Sequence, residues 1–245
     1  MYAVTGITGQ VGGATGRTLL NAGLSVRAVV RDAAKCAPWE QRGCEVAVAD
    51  MNHVPALTAA FTGTSGVFVM IPANYDPEPG FPEMRAVSAA LSSAVRAAKP
   101  PKVVLLSSIG AVGMKPTLLS QLGVAEQALG DLATPACFLR PCWFMENSIW
   151  DVESARDRGV ISSFLQPLDK TVPMVATADV GRVAAELLQE TWTGRRVVEL
   201  EGPVRVTPNQ LAATFAELFG HPVAWITCWR CAETRTSRPC STSTT

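Results

Sequence analysis

Apolar residues in the first part of the chain gather into short runs, separated by longer stretches in which they recur every three or four positions. Short apolar runs bounded by Gly, Pro, Asn and Asp mark strands buried on both faces, and the recurring pattern marks amphipathic helices. Strands are thereby predicted over residues 2–5, 26–30, 45–49, 66–71, 102–107 and 136–140. A helix over 10–22 would set Val11, Ala14, Thr15, Thr18, Leu19 and Ala22 on one stripe, with Gly23 placed to end it in a left-handed conformation. Pro82 suits the first turn of a helix running to about residue 98, which Pro100-Pro101 stops. Strands that alternate with helices give a parallel sheet with crossover helices. Beyond Arg140 the pattern loosens into a strand at 172–175, a helix at 179–190 and a strand at 196–200. Thr207-Pro208-Asn209-Gln210 is a capping box opening a helix to about Phe219. The reading is an α/β core over 1–150, a small C-terminal lobe over 151–227 that partly completes it, and a tail over 228–245.

Composition narrows the partners. With 48% hydrophobic and 17% charged residues the chain can bury a sizeable core. Lys plus Arg equal Asp plus Glu, 21 each, so the cationic excess that displaces counterions from nucleic acid is missing. No apolar run approaches the roughly 18 residues of a membrane helix, and no export pattern opens the chain; the expectation is a soluble cytoplasmic protein. Cys36, Cys44, Cys137 and Cys142 are scattered without metal-ligand spacing and read as reduced, small apolar residues. Cys228-x-x-Cys231 with Cys240 lacks a fourth ligand nearby, so no metal is expected. Ser, Thr and Arg dominate that tail, which is expected to be mobile.

The chemistry begins at the end of the first strand. Gly6, Gly9 and Gly12 in Thr5-Gly6-Ile7-Thr8-Gly9-Gln10-Val11-Gly12 follow a G-x-x-G-x-x-G spacing between a strand and a helix. That is the context of a Rossmann-type phosphate loop: a tight turn, close approach of a pyrophosphate, and close packing of helix on sheet. Thr8, Gln10 and Val11 complete the loop that would carry the phosphates on the helix amides. The fold class is therefore a doubly wound parallel sheet with a small C-terminal substrate lobe. At the end of the second strand an acid would bind a ribose 2′-hydroxyl, and a base accommodates a 2′-phosphate. Val30-Arg31-Asp32 offers both; Arg31 comes first and Lys35 stands four residues on, which favours NADP(H) over NAD(H). Asp32 has an ordinary alternative as a helix N-cap. Asp50, followed by Met51, ends the third strand, where a carboxylate can accept from the adenine amino group or cap the helix before Val54.

These segments resemble the NmrA-like branch of atypical short-chain dehydrogenases/reductases. The glycine loop, the Val26-to-Asp32 segment and Arg140-Pro141-Cys142-Trp143-Phe144-Met145-Glu146-Asn147, which is similar to that branch's R-P-x-x-F-x-E-N stretch, carry the likeness. The family includes NAD(P)H-dependent quinone reductases, aryl-ether reductases and non-catalytic redox sensors. The resemblance implies that Ile71, Pro72, Ala73 and Asn74 edge the nicotinamide ribose and that Ser107 and Ser108 face the nicotinamide. It also implies that Pro141 to Phe144 close over it. Short-chain dehydrogenases usually hold a Tyr-x-x-x-Lys pair, in which lysine lowers the tyrosine pKa for proton transfer. The two tyrosines here, Tyr2 and Tyr75, are followed four residues on by Gly6 and Pro79, so that pair is absent. The resemblance places Gln121 where some relatives keep the lysine, before the helix carrying Glu126; Lys115 and Ser108 are the catalytic candidates.

Two readings follow. The first is an NADPH-dependent reductase of a quinone or similar small apolar or aromatic conjugated carbonyl, working by direct hydride transfer, with Tyr75, Phe81, Trp143, Phe144 and Trp150 as an aromatic wall and Asn147 beside them. The second is a dinucleotide-binding sensor without turnover.

Overall fold

The computed structural model describes residues 1–72, 74–113, 117–162 and 165–226. Its strands are β1 (Tyr2–Thr5), β2 (Val26–Val30), β3 (Glu45–Val48), β4 (Gly66–Val69), β5 (Val103–Leu106), β6 (Ala136–Pro141), β7 (Trp143–Phe144), β8 (Val160–Ser162), β9 (Val172–Val175), β10 (Arg195–Leu200), β11 (Arg205–Val206) and β12 (Ala224–Ile226). Its helices are α1 (Gln10–Asn21), α2 (Ala37–Glu40), α3 (Val54–Phe61), α4 (Pro82–Ala98), α5 (Ser120–Gly130), α6 (Val152–Arg158), α7 (Thr177–Gln189) and α8 (Pro208–Phe219).

Seven strands form one sheet in the order β10-β6-β5-β4-β1-β2-β3, and each pairing in it is parallel. The chain starts in the middle, winds out to β3, crosses to β4 and winds out the other way. The order reverses between β1 and β4, and a crevice opens where the loops leaving those two strands diverge.

Successive residues of the central strands feed opposite faces, as a period of two requires. Ala3, Val67, Val69, Val103 and Leu105 pack with Leu57, Phe61, Leu91 and Leu129 under α3, α4 and α5. Val4, Phe68 and Val104 pack with Ile7, Leu19, Val180 and Leu188 under α1 and α7. On α1 the predicted stripe is buried at Val11, Ala14, Thr15 and Leu19, but Thr18 is half-buried and Ala22 exposed. The helix stops at Asn21 and Gly23 turns out at φ +73°. Gly12, Gly13 and Gly16 are buried as well, because α1 is covered by the sheet on one side and by α7 on another. A side chain on Gly181 of α7 would place its Cβ 2.4 Å from that of Ala14, so the two helices meet backbone to backbone.

The chain divides into two compact units. The first comprises Met1–Met145 and Val175–Gly202, and the second takes in Glu146–Met174 and the chain from Pro203 onward. The first therefore closes five residues before position 150, and the chain returns to it with α7 and β10, where β10 pairs with β6 along its whole length. In the second unit Ala155, Ile161, Ala212 and Phe215 form a small core. There β12 pairs with β8, and β11 pairs with β9. Thr207 and Gln210 make the expected reciprocal cap at the start of α8. The segment with Cys228, Cys231 and Cys240 lies outside the described residues. No helix among the described residues is long and apolar enough to cross a membrane.

Candidate functional site

Thr5 ends β1 with its hydroxyl oxygen 2.8 Å from the amide of Met70, which donates to it and ties the end of β1 to that of β4. Gly6 then turns at φ +60°, where a side chain would be strained, and a Cβ there would come within 2.3 Å of the Met70 methyl carbon. The Gly9 amide closes the turn on the Gly6 carbonyl at 2.9 Å. Gly12 sits over the same carbonyl: a Cβ on it would lie 2.3 Å from that oxygen. The N-cap of α1 is Gly9, which offers no side chain, and the first turn carries no acid. The leading amides of α1 are thus left to whatever lies in front of them, with the positive end of the helix dipole behind.

At the end of β2, Arg31 and Lys35 are exposed and form no ion pair among the described residues. Asp32 has taken its ordinary role: its Oδ1 accepts from the Ala34 amide at 2.9 Å and caps a single 3-10 turn, Ala33–Lys35. Asp50 Oδ1 accepts from the Asn52 amide at 2.9 Å. It does not cap α3; His53 does, its Nδ1 accepting from the Ala56 amide at 3.3 Å.

A cleft of about 680 Å³ lies along these loops. Of the residues singled out in the sequence, Gly6, Thr8, Arg31, Lys35, Asp50, Met51, Ile71, Pro72, Asn74 and Phe81 line it together. Gly9, Gln10, Val11 and Gly12 belong to the loop and to the first turn of α1. Other candidates stand elsewhere. Ser107 is buried and donates its hydroxyl to Glu126, whose carboxylate is also held by Arg140 through Nε at 2.9 Å and Nη2 at 2.6 Å. Ser108 accepts from the Gly110 amide. The Pro141 carbonyl accepts from the Ile109 amide, and Phe144 packs on the core beneath α1 and α7. Tyr75 and Trp143 are exposed and do not line the cleft. Asn147 belongs to the second unit. Ala73 and Lys115 lie outside the described residues.

The structure adds lining residues that the sequence did not single out for this role. Gln121, in the first turn of α5 rather than before it, is 4% exposed. Its Nε2 donates to the carbonyls of Asn74 at 3.0 Å and Leu118 at 2.9 Å. Asp76, Glu78 and Glu83 put three carboxylates between β4 and the start of α4. Glu83 accepts from Asn74 Nδ2 at 2.5 Å. Phe81, already expected in the aromatic wall, lines the same stretch at φ +56°, a left-handed conformation costly for an aromatic residue. A polar loop of Asn, Asp, Pro and Glu reads as a solvated connection, and only the path of the chain turns it toward a cavity. Among the described residues lining the cleft, Arg31 and Lys35 are the only cations. No three or more His, Cys, Asp or Glu among the described residues are grouped to hold a metal ion.

Strand order, glycine loop and crevice define a Rossmann-type α/β protein. The NmrA-like family model matches residues 2–228, and the chain belongs to that family. The NAD(P)H azoreductase of Xenophilus azovorans is 28% identical over 228 residues, covering 92% of this chain and 76% of the relative. Among solved structures, the NADPH-dependent quinone oxidoreductase of Escherichia coli complexed with NADPH is 25% identical with a TM-score of 0.79, over 93% of this chain and 78% of that one. The Citrobacter sp. triphenylmethane reductase complexed with NADP(H) superposes with a TM-score of 0.80 at 23% identity, over 92% and 78% of the two chains.

Proposed function

We propose that the chain binds NADPH, in preference to NADH, along this cleft and uses it to reduce a quinone or a similar conjugated carbonyl. The observation that carries the reading is that Gly6 and Thr8, in the turn leading into the uncapped N-terminus of α1, line one cavity with Arg31 and Lys35, which form no ion pair among the described residues. Both ends of that arrangement suit phosphate. The missing side chains of Gly9 and Gly12 suit it too, because they keep the turn tight where a Cβ at either would crowd the Gly6 carbonyl. The leading amides of α1 would take the pyrophosphate, Arg31 with Lys35 the 2′-phosphate, and Asp50 with Met51 the adenine. Ile71 and Pro72 would edge the nicotinamide ribose. When bound, the cofactor supplies the hydride. The protein's part is to hold the two reactants in line and keep water out. The azoreductase and quinone oxidoreductase named above support the same chemistry. A Tyr-x-x-x-Lys pair takes no part, since the sequence has none.

That absence also favours a second reading, a sensor that binds the dinucleotide without turnover. Calorimetric titration with NADPH and NADH, followed by steady-state NADPH oxidation over a panel of quinones, separates the two. Turnover with any quinone selects the reductase. Tight NADPH binding with no oxidation across the panel selects the sensor.

A further inference from the structure

On the side of the cleft that follows β4, the carboxylates of Asp76, Glu78 and Glu83 are exposed, and water serves a donor there as well as they do. Gln121 is different, being only 4% exposed. Its two amide hydrogens are spent on the carbonyls of Asn74 and Leu118. Turning the amide over would set Oε1 against those same two oxygens, so the fold holds it one way round. Oε1 accepts from no group among the described residues. It is not sealed in either, as the unpartnered Ser88 Oγ and Trp192 Nε1 are; it opens on the cleft that Gln121 lines. An acceptor this enclosed is costly to leave without a donor. A plain quinone or conjugated carbonyl offers only acceptor oxygens, and Gln121 has no hydrogen left to answer them. An N–H or O–H on the same ring can answer Oε1.

We propose that Gln121 is a specificity-determining residue: its Oε1 receives an amino or hydroxyl donor carried by the substrate, so that conjugated carbonyls bearing such a donor are preferred to those bearing acceptors alone. The inference rests on the reductase reading. Phe81, Met84 and Val87, at the start of α4, give this side its apolar lining. They can hold a flat ring but cannot tell one substituent's polarity from another's. The amide can, because a site shaped to pair a buried donor rejects the analogue that lacks it and leaves the acceptor stranded. The fixed amide makes the choice sharper, since it cannot flip to suit an acceptor.

The test uses the full chain with 2-amino-1,4-naphthoquinone and 2-methoxy-1,4-naphthoquinone, rings of similar size of which only the first carries an N–H. Binding is titrated on the NADP⁺-saturated protein, and kcat/KM is measured with saturating NADPH. The amino compound should bind roughly threefold to tenfold more tightly, the worth of one net hydrogen bond. Gln121→Met removes the acceptor together with both amide hydrogens. Gln121→Lys removes the acceptor but keeps donors for the Asn74 and Leu118 carbonyls, so it stands in should the first variant fail to fold. The preference should vanish with Gln121→Met and reverse with Gln121→Lys, whose remaining hydrogen meets acceptor oxygens. The ratio of kcat/KM for the amino to the methoxy compound should fall with it, a comparison in which the compounds' own reactivities cancel. Equal binding of the two by the wild type, or a preference that survives in the variants, overturns the inference even where both compounds are reduced. A fall in NADP⁺ affinity that leaves the preference intact overturns it too, by giving Oε1 to the cofactor. Preferential binding of the amino compound with no NADPH oxidation by either overturns the reductase reading instead and leaves the donor recognition standing.

Discussion

Arg31 is where cofactor choice should be decided. Its guanidinium is exposed at the end of β2 and unpaired among the described residues, while the neighbouring Asp32 is committed to its own turn. Replacing Arg31 by Ala should weaken NADPH binding by about 1.5–3 kcal/mol, the worth of a charge-assisted pair, and leave NADH nearly unchanged. Calorimetry that finds the wild type binding both cofactors equally would refute the assignment. Asp151 offers a second test at this scale. Burial pushes its carboxyl up to about 6, so the neutral form is favoured in the fold. Its contribution is complete below the ordinary carboxylate range and is lost as pH rises toward 6. Asp151→Asn should therefore raise the melting temperature at neutral pH, by an amount equivalent to about 1 kcal/mol once the screening of a half-exposed group is allowed for, and should change little at pH 4. An unchanged difference across that range would show that the group does not titrate as described. Single residues were legible in the sequence where a backbone rule applied. Gly6 and Gly12 declare themselves because turn and close approach leave no room for a side chain. Gln121 could be noticed only as a missing lysine, because what it does depends on the Asn74 carbonyl, which the fold brings in from another segment.

At the scale of elements, the two later glycines of the loop should behave differently although the spacing motif treats them alike. A Cβ at Gly9 would lie 3.3 Å from the Gly6 carbonyl oxygen, tight but adjustable, whereas one at Gly12 would lie 2.3 Å from it. Gly9→Ala should keep the urea midpoint close to wild type and lose NADPH affinity. Gly12→Ala should cost about 1–3 kcal/mol of stability as α1 is pushed off the turn. Equal midpoints for the two variants would show that helix and turn are not locked together there. A further fastening joins α5 to the sheet, where Glu126 takes Ser107 from β5's end and Arg140 from β6. Removing one side of such a buried pair leaves a stranded charge. Arg140→Met should accordingly destabilise the fold by about 3–5 kcal/mol, more than Glu126→Gln, as chemical denaturation would show. The six leading strands and the helices α1, α4 and α8 could be read from apolar spacing, proline and capping chemistry. The strands β7, β8, β11 and β12 could not. Each is two or three residues long, too short for any periodicity, and is made by its partner rather than by its own pattern.

At the scale of the whole molecule, the cleft and the tail are far apart along the chain. Every residue that lines the cleft falls between Thr5 and Gln121, inside the first unit. The second unit builds its own core from Ala155, Ile161, Ala212 and Phe215. Gly220 ends α8 in a left-handed turn. After it, β12 pairs with β8 at Ala224, Trp225 and Ile226, and the Trp225 indole donates to the Pro208 carbonyl. These pairings engage the chain up to Ile226, just before the Ser-, Thr- and Arg-rich stretch begins. Truncation after Thr227 should therefore leave NADPH affinity unchanged and the melting temperature within about 5 °C of the full chain, a shift worth somewhat over 1 kcal/mol for a protein of this size. A larger drop with affinity intact would place the tail in the structure of the second unit. A loss of affinity would bring the tail to the cleft, and with it a part of the site that the first unit does not supply.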